Sequence, residues 1–134
     1  MNIIAVDTST SIGFDESKKY VIHDVNEILN DKDGLVYFFN TRIDGHLIRS
    51  RIRERDFDMR GSSSIWDSLY SIIDKHRNLY RVQLFVLTDG HDTSSKNKTY
   101  DDIEYELWYL RLVKLWNVTW VYWQPPMKKF CFIY

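Results

Sequence analysis

Apolar runs of strand length alternate along this chain with longer stretches of helical spacing. The runs read NIIAV, LVYFF, VQLFVL and VTWVYW. Between them, apolar residues recur at the spacing of amphipathic helices in SKKYVIHDVNEILND, SIWDSLYSIIDKH and DDIEYELWYLRLVKL. Chains that alternate in this way form mostly parallel sheets with helices on both faces. The sequence therefore predicts a doubly wound, Rossmann-like α/β fold.

Two further stretches are predicted to be strands of a different kind. HLIRSRI, residues 46–52, alternates apolar and polar side chains, which is typical of a strand with an exposed face. FCFIY, residues 130–134, is apolar but follows VTWVYW after only QPPMKK. A parallel crossover needs about a dozen residues or more. This last strand is therefore expected to pair by another route.

The length and composition are those of one soluble domain. A chain of 134 residues, 44% hydrophobic and 28% charged, is large enough for one core and too short for two. We expect a single domain over residues 1–134. No apolar run approaches the roughly 20 residues of a membrane helix, and the N-terminus lacks the features of a signal peptide. We therefore expect a cytoplasmic protein that does not bind a membrane.

The charge balance gives no reason to expect nucleic acid as a partner. The chain has 18 basic and 19 acidic residues, whereas nucleic-acid-binding domains carry a clearly basic surface. Six arginines fall between residues 42 and 60, but four acidic residues are interleaved with them. That mixture is typical of a solvent-exposed edge strand and loop.

The first predicted strand ends in an aspartate followed by regularly spaced hydroxyls, Asp7-x-Ser9-x-Ser11. Hydroxyls after a strand often cap a helix, so this motif alone is a weak signal. In a doubly wound sheet, however, ligands bind outside the carboxyl ends of the strands. Two more oxygen-bearing loops are predicted at that edge: RGSSSIWDSL, which contains Ser63, and LFVLTDGHD, which contains Asp89. Hard oxygen donors of this kind suit Mg²⁺ or Mn²⁺.

The order and spacing of these loops resemble the von Willebrand factor A (vWA) family and its metal-ion-dependent adhesion site. The first loop of that site reads Asp-x-Ser-x-Ser and matches Asp7, Ser9 and Ser11 without a gap. The Thr-Asp-Gly of its third loop is present at residues 88–90. The resemblance extends from the first residues to about the fifth strand.

The second loop of the family site commonly reads Gly-Gly-Thr-x-x-x-Asp-Ala-Leu. Here it stands as GSS at residues 61–63 and DSL at residues 67–69. Ser63 takes the place of the threonine ligand and keeps the hydroxyl, with Ser62 and Ser64 as the next candidates. Asp67 recurs in the family pattern, although an aspartate near a helix start also favours the helix dipole.

The resemblance implies a function as well as a fold. In the family, hydroxyls touch the metal while the aspartates act largely through water, and one coordination position stays open. An ion with few direct charges around it attracts an external carboxylate. We therefore expect a non-catalytic module that binds a protein partner presenting Asp or Glu. The expected metal ligands are Asp7, Ser9, Ser11, Ser63 and Asp89.

Residues around the expected site are assigned less directly. His91, beside Asp89, is expected to shape the rim of the site and, with Arg60, to contact the partner. Asp92 either helps to neutralise the ion or stabilises a turn. The aromatic content is 16%, for which core packing is the first explanation and a partner-binding face the alternative. The residues concerned are Trp108, Tyr109, Trp116, Trp120 and Trp123.

Two enzyme-like folds compete with this interpretation. IIAVDTSTS also resembles the first phosphate loop of the actin-like and sugar-kinase ATPase fold, but that fold continues into a hairpin, whereas SKKYVIHDVNEIL predicts a helix. A phosphohydrolase could use Asp7 as nucleophile, although its usual partner aspartate two positions on is Ser9 here. No P-loop or Ser-His-Asp order is present, so we do not expect an enzyme.

Overall fold

The computed structural model describes residues 1–9, 17–48, 50–59, 61–89, 92–124 and 128–133. Its strands are β1 (Asn2–Asp7), β2 (Gly34–Phe39), β3 (Ile43–Ile48), β4 (Gln83–Thr88), β5 (Asn117–Gln124) and β6 (Lys128–Ile133). Its α-helices are α1 (Ser17–Leu29), α2 (Ile65–His76) and α3 (Tyr100–Lys114), and a short 3-10 helix spans Glu54–Asp56. None of the described helices is both long and apolar enough to cross a membrane.

The described strands form one sheet in the order β3-β2-β1-β4-β5-β6. The four central strands run parallel, and β3 and β6 pair antiparallel at the two edges. The chain leaves β1 towards β2 on one side and later returns to β4 on the other, so the strand order reverses between β1 and β4. Ligands of doubly wound sheets bind at such a reversal. The predicted fold class, a mostly parallel α/β sheet flanked by helices, is confirmed.

Two separate cores cover the two faces of the sheet. Successive side chains of a strand point to opposite faces, so Ile3 and Ala5 pack towards α2 and α3, while Ile4 and Val6 pack towards α1. All of these side chains are fully buried. Burial on both faces explains why NIIAV is a continuous apolar run and does not alternate.

The helices begin and end where their local sequence allows. Asn30 and Asp31 adopt positive φ angles of 49° and 59° and end α1, two residues before its predicted limit. At α3, the Thr99 hydroxyl accepts a hydrogen bond from the Asp102 backbone N–H and the Asp102 carboxylate accepts one from the Thr99 N–H. This reciprocal capping satisfies donors that a helix start leaves unpaired.

The exposed strand predicted at residues 46–52 lies earlier in the chain, at Ile43–Ile48. It forms a hairpin with β2, with Ile43 opposite Phe39. After it, the Asn26 side chain of α1 accepts a hydrogen bond from the Ile52 N–H (2.7 Å) and donates one to the Ile52 carbonyl (3.1 Å). Because Asn26 takes both backbone groups of Ile52, this residue leaves the sheet and becomes part of the core beneath α1.

The C-terminal strand pairs as an antiparallel hairpin with β5, from Gln124 opposite Lys128 to Thr119 opposite Ile133. The prediction that QPPMKK is too short for a parallel crossover is therefore confirmed. The cysteine predicted to be buried, Cys131, lies on β6, opposite Val121.

The tryptophans divide between core and surface. Trp116, Trp120 and Trp123 are buried, whereas Trp108 is 55% exposed. The Trp116 indole donates to the Leu79 carbonyl at 2.8 Å. Core packing therefore explains three of these tryptophans, and Trp108 requires a different explanation.

Candidate metal centre

A single buried carboxylate joins three segments of the chain at the carboxyl edge of the sheet. Asp7, the last residue of β1, is fully buried. Its Oδ1 accepts a hydrogen bond from the Ser9 backbone N–H at 2.9 Å. Its Oδ2 accepts hydrogen bonds from the Ser63 hydroxyl at 3.0 Å and from the Thr88 hydroxyl at 2.9 Å. The first loop, the loop before α2 and the end of β4 therefore meet at this side chain.

The sheet topology explains why these segments meet. Val6 pairs with Leu87 in β4, so Thr88 lies at the level at which β1 ends. On the other side, both the backbone N–H and the hydroxyl of Thr8 donate to the Phe39 carbonyl, at 2.7 and 3.0 Å. These bonds hold the end of β1 between its two parallel neighbours. The position of Asp7 is thus set by backbone pairing on both sides of β1.

Ser63 is held in place by the loop that follows β4. Its backbone N–H donates to the Thr93 hydroxyl at 3.0 Å, and its carbonyl accepts from the N–H groups of Thr93 and Ser94 at 2.9 and 3.0 Å. The Ser63 side chain is fully buried. The neighbouring Ser62 hydroxyl instead contacts that of Ser94. Ser63 is thus the member of the serine triplet that directs its hydroxyl at Asp7.

Asp67 organises the same loop from α2. Its carboxylate accepts hydrogen bonds from the backbone N–H groups of Lys96 (2.8 Å), Asn97 (3.1 Å) and Lys98 (2.8 Å). Burial opposes ionisation, but these three donors outweigh it and lower the pKa of the Asp67 carboxyl. Asp67 thereby anchors the loop that positions Ser63. Asp92 accepts from the backbone of Ser95 at 3.1 Å, as a turn-stabilising residue does.

Replacing Asp67 by alanine is expected to destabilise the protein by about 1–2 kcal/mol at neutral pH, because three backbone N–H groups lose a charged acceptor. A lowered carboxyl pKa stabilises the fold above the ordinary value of 3.8, and that contribution is lost as the pH falls through the lower folded value. Urea unfolding at about pH 7 and about pH 3 measures the difference between wild type and variant, which should shrink at the lower pH.

Asp74→Ala is the matched control, since this exposed aspartate of α2 pairs with Arg77 at 3.2 Å. It should change the stability little at either pH. An Asp67 variant as stable as Asp74→Ala would show that the loop does not depend on Asp67.

Asp89 adds a second carboxylate to the site. It follows β4 directly and is half-buried. Burial is the main cause that raises the pKa of Asp7, and the charge of Asp89 raises it further, against the hydrogen bonds from Ser9 and Thr88, which lower it. A cation placed near both carboxylates would stabilise the charged form of Asp7.

The donor set fits a hard divalent cation. Within the described part of the chain, Asp7 is surrounded by hydroxyl and carboxylate oxygens, from Ser9, Ser63, Thr88 and Asp89. Mg²⁺ and Mn²⁺ prefer such ligands, whereas softer metals prefer sulfur or imidazole. The serine hydroxyls are neutral, so they would hold such an ion without compensating its charge.

Three residues expected at this site, Ser11, Arg60 and His91, lie outside the described residues. The roles proposed for them from the sequence stay predictions. The geometry therefore concerns Asp7, Ser9, Ser63 and Asp89.

Two threonines near the site were not predicted as functional residues. Thr88 is buried and donates to Asp7, and its position directly before Asp89 was the available signal. The Thr93 hydroxyl accepts a hydrogen bond from the Ser63 N–H, and the Thr93 N–H donates one to the Ser63 carbonyl. The hydroxyl-rich stretch DTSS at residues 92–95 was a weak signal for it, but no sequence pattern links it to a residue 30 positions away.

A groove of about 800 Å³ opens beside the site. Thr8 and Gly61 line its end nearest the site, and Arg42 and Arg55 supply cationic side chains. Its acidic residues have local partners: Asp56 accepts from the Arg53 N–H at 2.6 Å, and Asp58 lies 3.9 Å from the Lys18 ammonium. The full lining is Thr8, Phe38, Asn40, Thr41, Arg42, Ile43, Asp44, Arg55, Asp56, Phe57, Asp58 and Gly61.

A separate group of possible metal ligands lies midway along α1. His23, Asp24 and Glu27 bring ligand atoms within 4.8 Å of one another. The His23 ring lies 3.4 Å from the Glu27 carboxylate, and Asp24 accepts a 2.7 Å hydrogen bond from the Trp123 indole. These contacts account for the positions of the three side chains without an ion.

Comparison with known proteins identifies the fold and little more. No family model matches the sequence, and no curated protein matches it. Among solved structures, the ArnB paralog VWA2 from Sulfolobus acidocaldarius is similar, with a TM-score of 0.58 and 16% sequence identity. The match covers 71% of this chain but only 28% of that protein. The chain thus has a vWA-like fold and spans less than a third of the length of this structural neighbour.

Proposed function

We propose that this domain binds a protein partner through Mg²⁺ or Mn²⁺ at the edge where β1 and β4 end. The observation that carries the proposal is the buried Asp7 carboxylate, which accepts hydrogen bonds from the hydroxyl of Ser63, in a distant loop, and from that of Thr88, at the end of β4. A fold without a cation site has little reason to bury a charged group there, since burial of a carboxylate is costly. The vWA-like fold supports a protein-interaction module.

The proposed ligands are of two kinds, neutral hydroxyls and charged carboxylates. The hydroxyls of Ser9 and Ser63 would hold the ion, with Ser11 joining them from the first-loop motif, while Asp7 and Asp89 would balance its charge. Neutral ligands leave the ion electrophilic. An ion held in this way attracts an Asp or Glu side chain of a partner.

The competing enzyme interpretations fit the structure less well. A phosphohydrolase nucleophile must reach its substrate, whereas Asp7 is fully buried and both of its oxygens accept hydrogen bonds. In the actin-like fold the first strand continues into a hairpin, whereas here β2 runs parallel to β1 and α1 lies between them in the chain. These observations favour a binding module over an enzyme.

The groove beside the site would take the rest of the partner. Arg42 and Arg55 line it beside Asp44, Asp56 and Asp58, so this mixed set of charges would determine which partner segment fits. Such peripheral charges contribute to association rate and specificity more than to affinity. Arg60 and His91, which we expected to contact the partner, are close in sequence to the residues at this edge.

Magnesium or manganese is expected to raise the melting temperature of the wild-type protein. A ligand that binds only the folded state stabilises it by mass action, by about 2.7 kcal/mol at a hundred times its Kd. Thermal unfolding followed by circular dichroism, in millimolar Mg²⁺ and in EDTA, measures the shift. Sodium chloride of equal ionic strength is the control for screening.

The absence of a metal response would contradict the proposal. A wild-type protein with no metal-dependent shift and no binding heat by calorimetry would show that the site does not hold a cation. In that case the three loops would be a structural hydrogen-bond network.

A further inference from the structure

Helix α3 carries apolar residues on two opposite faces. Ile103, Leu107 and Leu110 are buried against the sheet. The other face carries a second stripe of large apolar side chains that remain exposed: Tyr105 (64%), Trp108 (55%), Leu112 (63%) and, just after the helix, Leu115 (52%). A helix on the surface of a domain normally has one apolar stripe and a polar opposite face. The outer stripe is therefore unexplained by the fold of a single chain.

The outer stripe has the spacing of a helix-packing seam. Its residues follow one another at intervals of three, four and three positions, the heptad pattern of paired helices. The rings of Tyr105 and Trp108 already contact each other, with centroids 6.2 Å apart. Tyr109 and Val113 extend the stripe on one side. Regular spacing of this kind suits a second helix better than an irregular ligand.

The exposed area is large enough for an interface. A fully exposed aromatic side chain offers about 150–250 Å². On that scale the six apolar residues of the outer face present roughly 600 Å², near the ~800 Å² that each partner of a standard complex buries. The largest apolar patch of an ordinary monomer is of about 300–600 Å² and is itself often functional.

A cleft continues the apolar surface on the other side of the stripe. It has a volume of about 130 Å³ and an apolar floor formed in part by Leu107 and Val118. Glu104 and Arg111 lie at its charged rim. The residues that line it are Glu104, Leu107, Trp108, Arg111, Val118 and Trp120. A side chain from a second helix packed on the stripe could enter this cleft.

The charges beside the stripe indicate what the second helix is. Glu104 and Arg111 are seven residues apart, so they flank the stripe on the same side, one near each end. Two copies of α3 packed antiparallel bring each Glu104 towards Arg111 of the second copy, twice over, as two-fold symmetry requires.

We infer that the outer face of α3 is a homodimer interface, in which a second copy of this chain packs its own α3 antiparallel across the stripe. The presence of both charge signs beside the stripe favours this occupant over a membrane surface, which attracts helices with a basic polar face. The inference does not depend on the metal site. It predicts that the protein in solution has twice the 16.2 kDa mass of one chain.

Sedimentation equilibrium at tens of micromolar protein, in EDTA, tests the inference on the whole chain. Glu104→Arg alone places like charges opposite each other and should weaken dimerisation about tenfold or more. Arg111→Glu should do the same, and the double variant E104R/R111E should restore dimerisation. Restoration is the informative result, because a variant that merely unfolds is not rescued by a second reversal.

The matched control is Glu27→Arg, the same charge reversal at an exposed position of α1 on the other face of the sheet. It should leave the mass unchanged, whereas Trp108→Ser should give a monomer with an unaltered circular dichroism spectrum. A wild-type monomer at these concentrations overturns the inference. So does a double variant that stays monomeric, which would leave a different protein or a membrane as the occupant of the stripe.

Discussion

Replacing Asp7 by asparagine is expected to stabilise the metal-free protein and to abolish its response to magnesium. Asparagine has the shape of aspartate and can still form hydrogen bonds there: its oxygen accepts from the Ser9 N–H, and its amide can donate to the hydroxyls of Ser63 and Thr88, which donate to Asp7 in the wild type. What it removes is a buried charge near Asp89. Residues that serve a binding site often lower the stability of the fold. Replacing such a residue commonly raises the free energy of unfolding by about 0.5–2 kcal/mol.

The sign of this effect follows from the pKa of Asp7, which burial raises. A raised carboxyl pKa favours the folded state at low pH, and that contribution is lost as the pH rises through the folded value. The metal-free wild type should therefore be less stable than Asp7→Asn near neutrality, by a few degrees in Tm, and the two should converge as the pH is lowered. Melting curves across this pH range, with and without Mg²⁺, give both results.

Asp24→Asn is the matched control for Asp7→Asn. Asp24 is also a buried aspartate, but it accepts a hydrogen bond from the Trp123 indole beneath α1. This variant should keep the full magnesium response. If Asp7→Asn also kept it, Asp7 would not belong to a cation site, and the proposed function would have lost its central residue.

Removing the Ser63 hydroxyl is expected to weaken metal binding by about tenfold to a hundredfold, the usual effect of losing a group that binds or orients at a metal site. Ser63→Thr should preserve the affinity or tighten it modestly, because it keeps the hydroxyl and its branched side chain has fewer rotamers. Ser63→Ala should lose the affinity, and the Asp7 carboxylate loses a donor as well. Calorimetric titration with Mg²⁺ or Mn²⁺ separates the affinity from any change in stability.

Ser62→Ala provides the control within the same loop. The Ser62 hydroxyl contacts Ser94 at the surface and not Asp7, so its loss should leave the metal affinity unchanged. Equal binding by wild type, Ser63→Ala and Ser63→Thr would exclude Ser63 as the hydroxyl ligand and turn attention to Ser62 and Ser64.

Local patterns in the sequence predicted the fold well. The apolar runs identified β1, β2, β4 and β5 because strands buried on both faces must be continuously apolar. The helical spacing identified α1, α2 and α3 to within two residues. It also followed from the short QPPMKK connection that β6 could not be parallel to β5. Each of these inferences rests on residues close together in the chain, where geometry is set by neighbours.

The sequence did not predict the contacts in which a side chain binds backbone groups far away in the chain. HLIRSRI alternates like a strand throughout, but Asn26 of α1 binds the backbone of Ile52 and ends the strand early. Similarly, Asp67 is a plausible helix-start residue by its position, whereas it binds three N–H groups of a loop about 30 residues away. No periodicity records such contacts.

The sequence by itself placed the first and third oxygen-bearing loops at one edge of the sheet, because both follow strands that run parallel. The Ser63 loop was expected at the same edge, but it follows the antiparallel strand β3, so strand direction alone does not place it there. Only the tertiary structure decided which hydroxyls meet Asp7, since that depends on the loop that Thr93 and Asp67 hold against Ser63. The same holds for α3. The helix is apolar on two opposite faces, and either face could have packed on the sheet. Because a helix can bury only one face against one sheet, packing buried Ile103 and Leu107 and left Trp108 exposed to solvent.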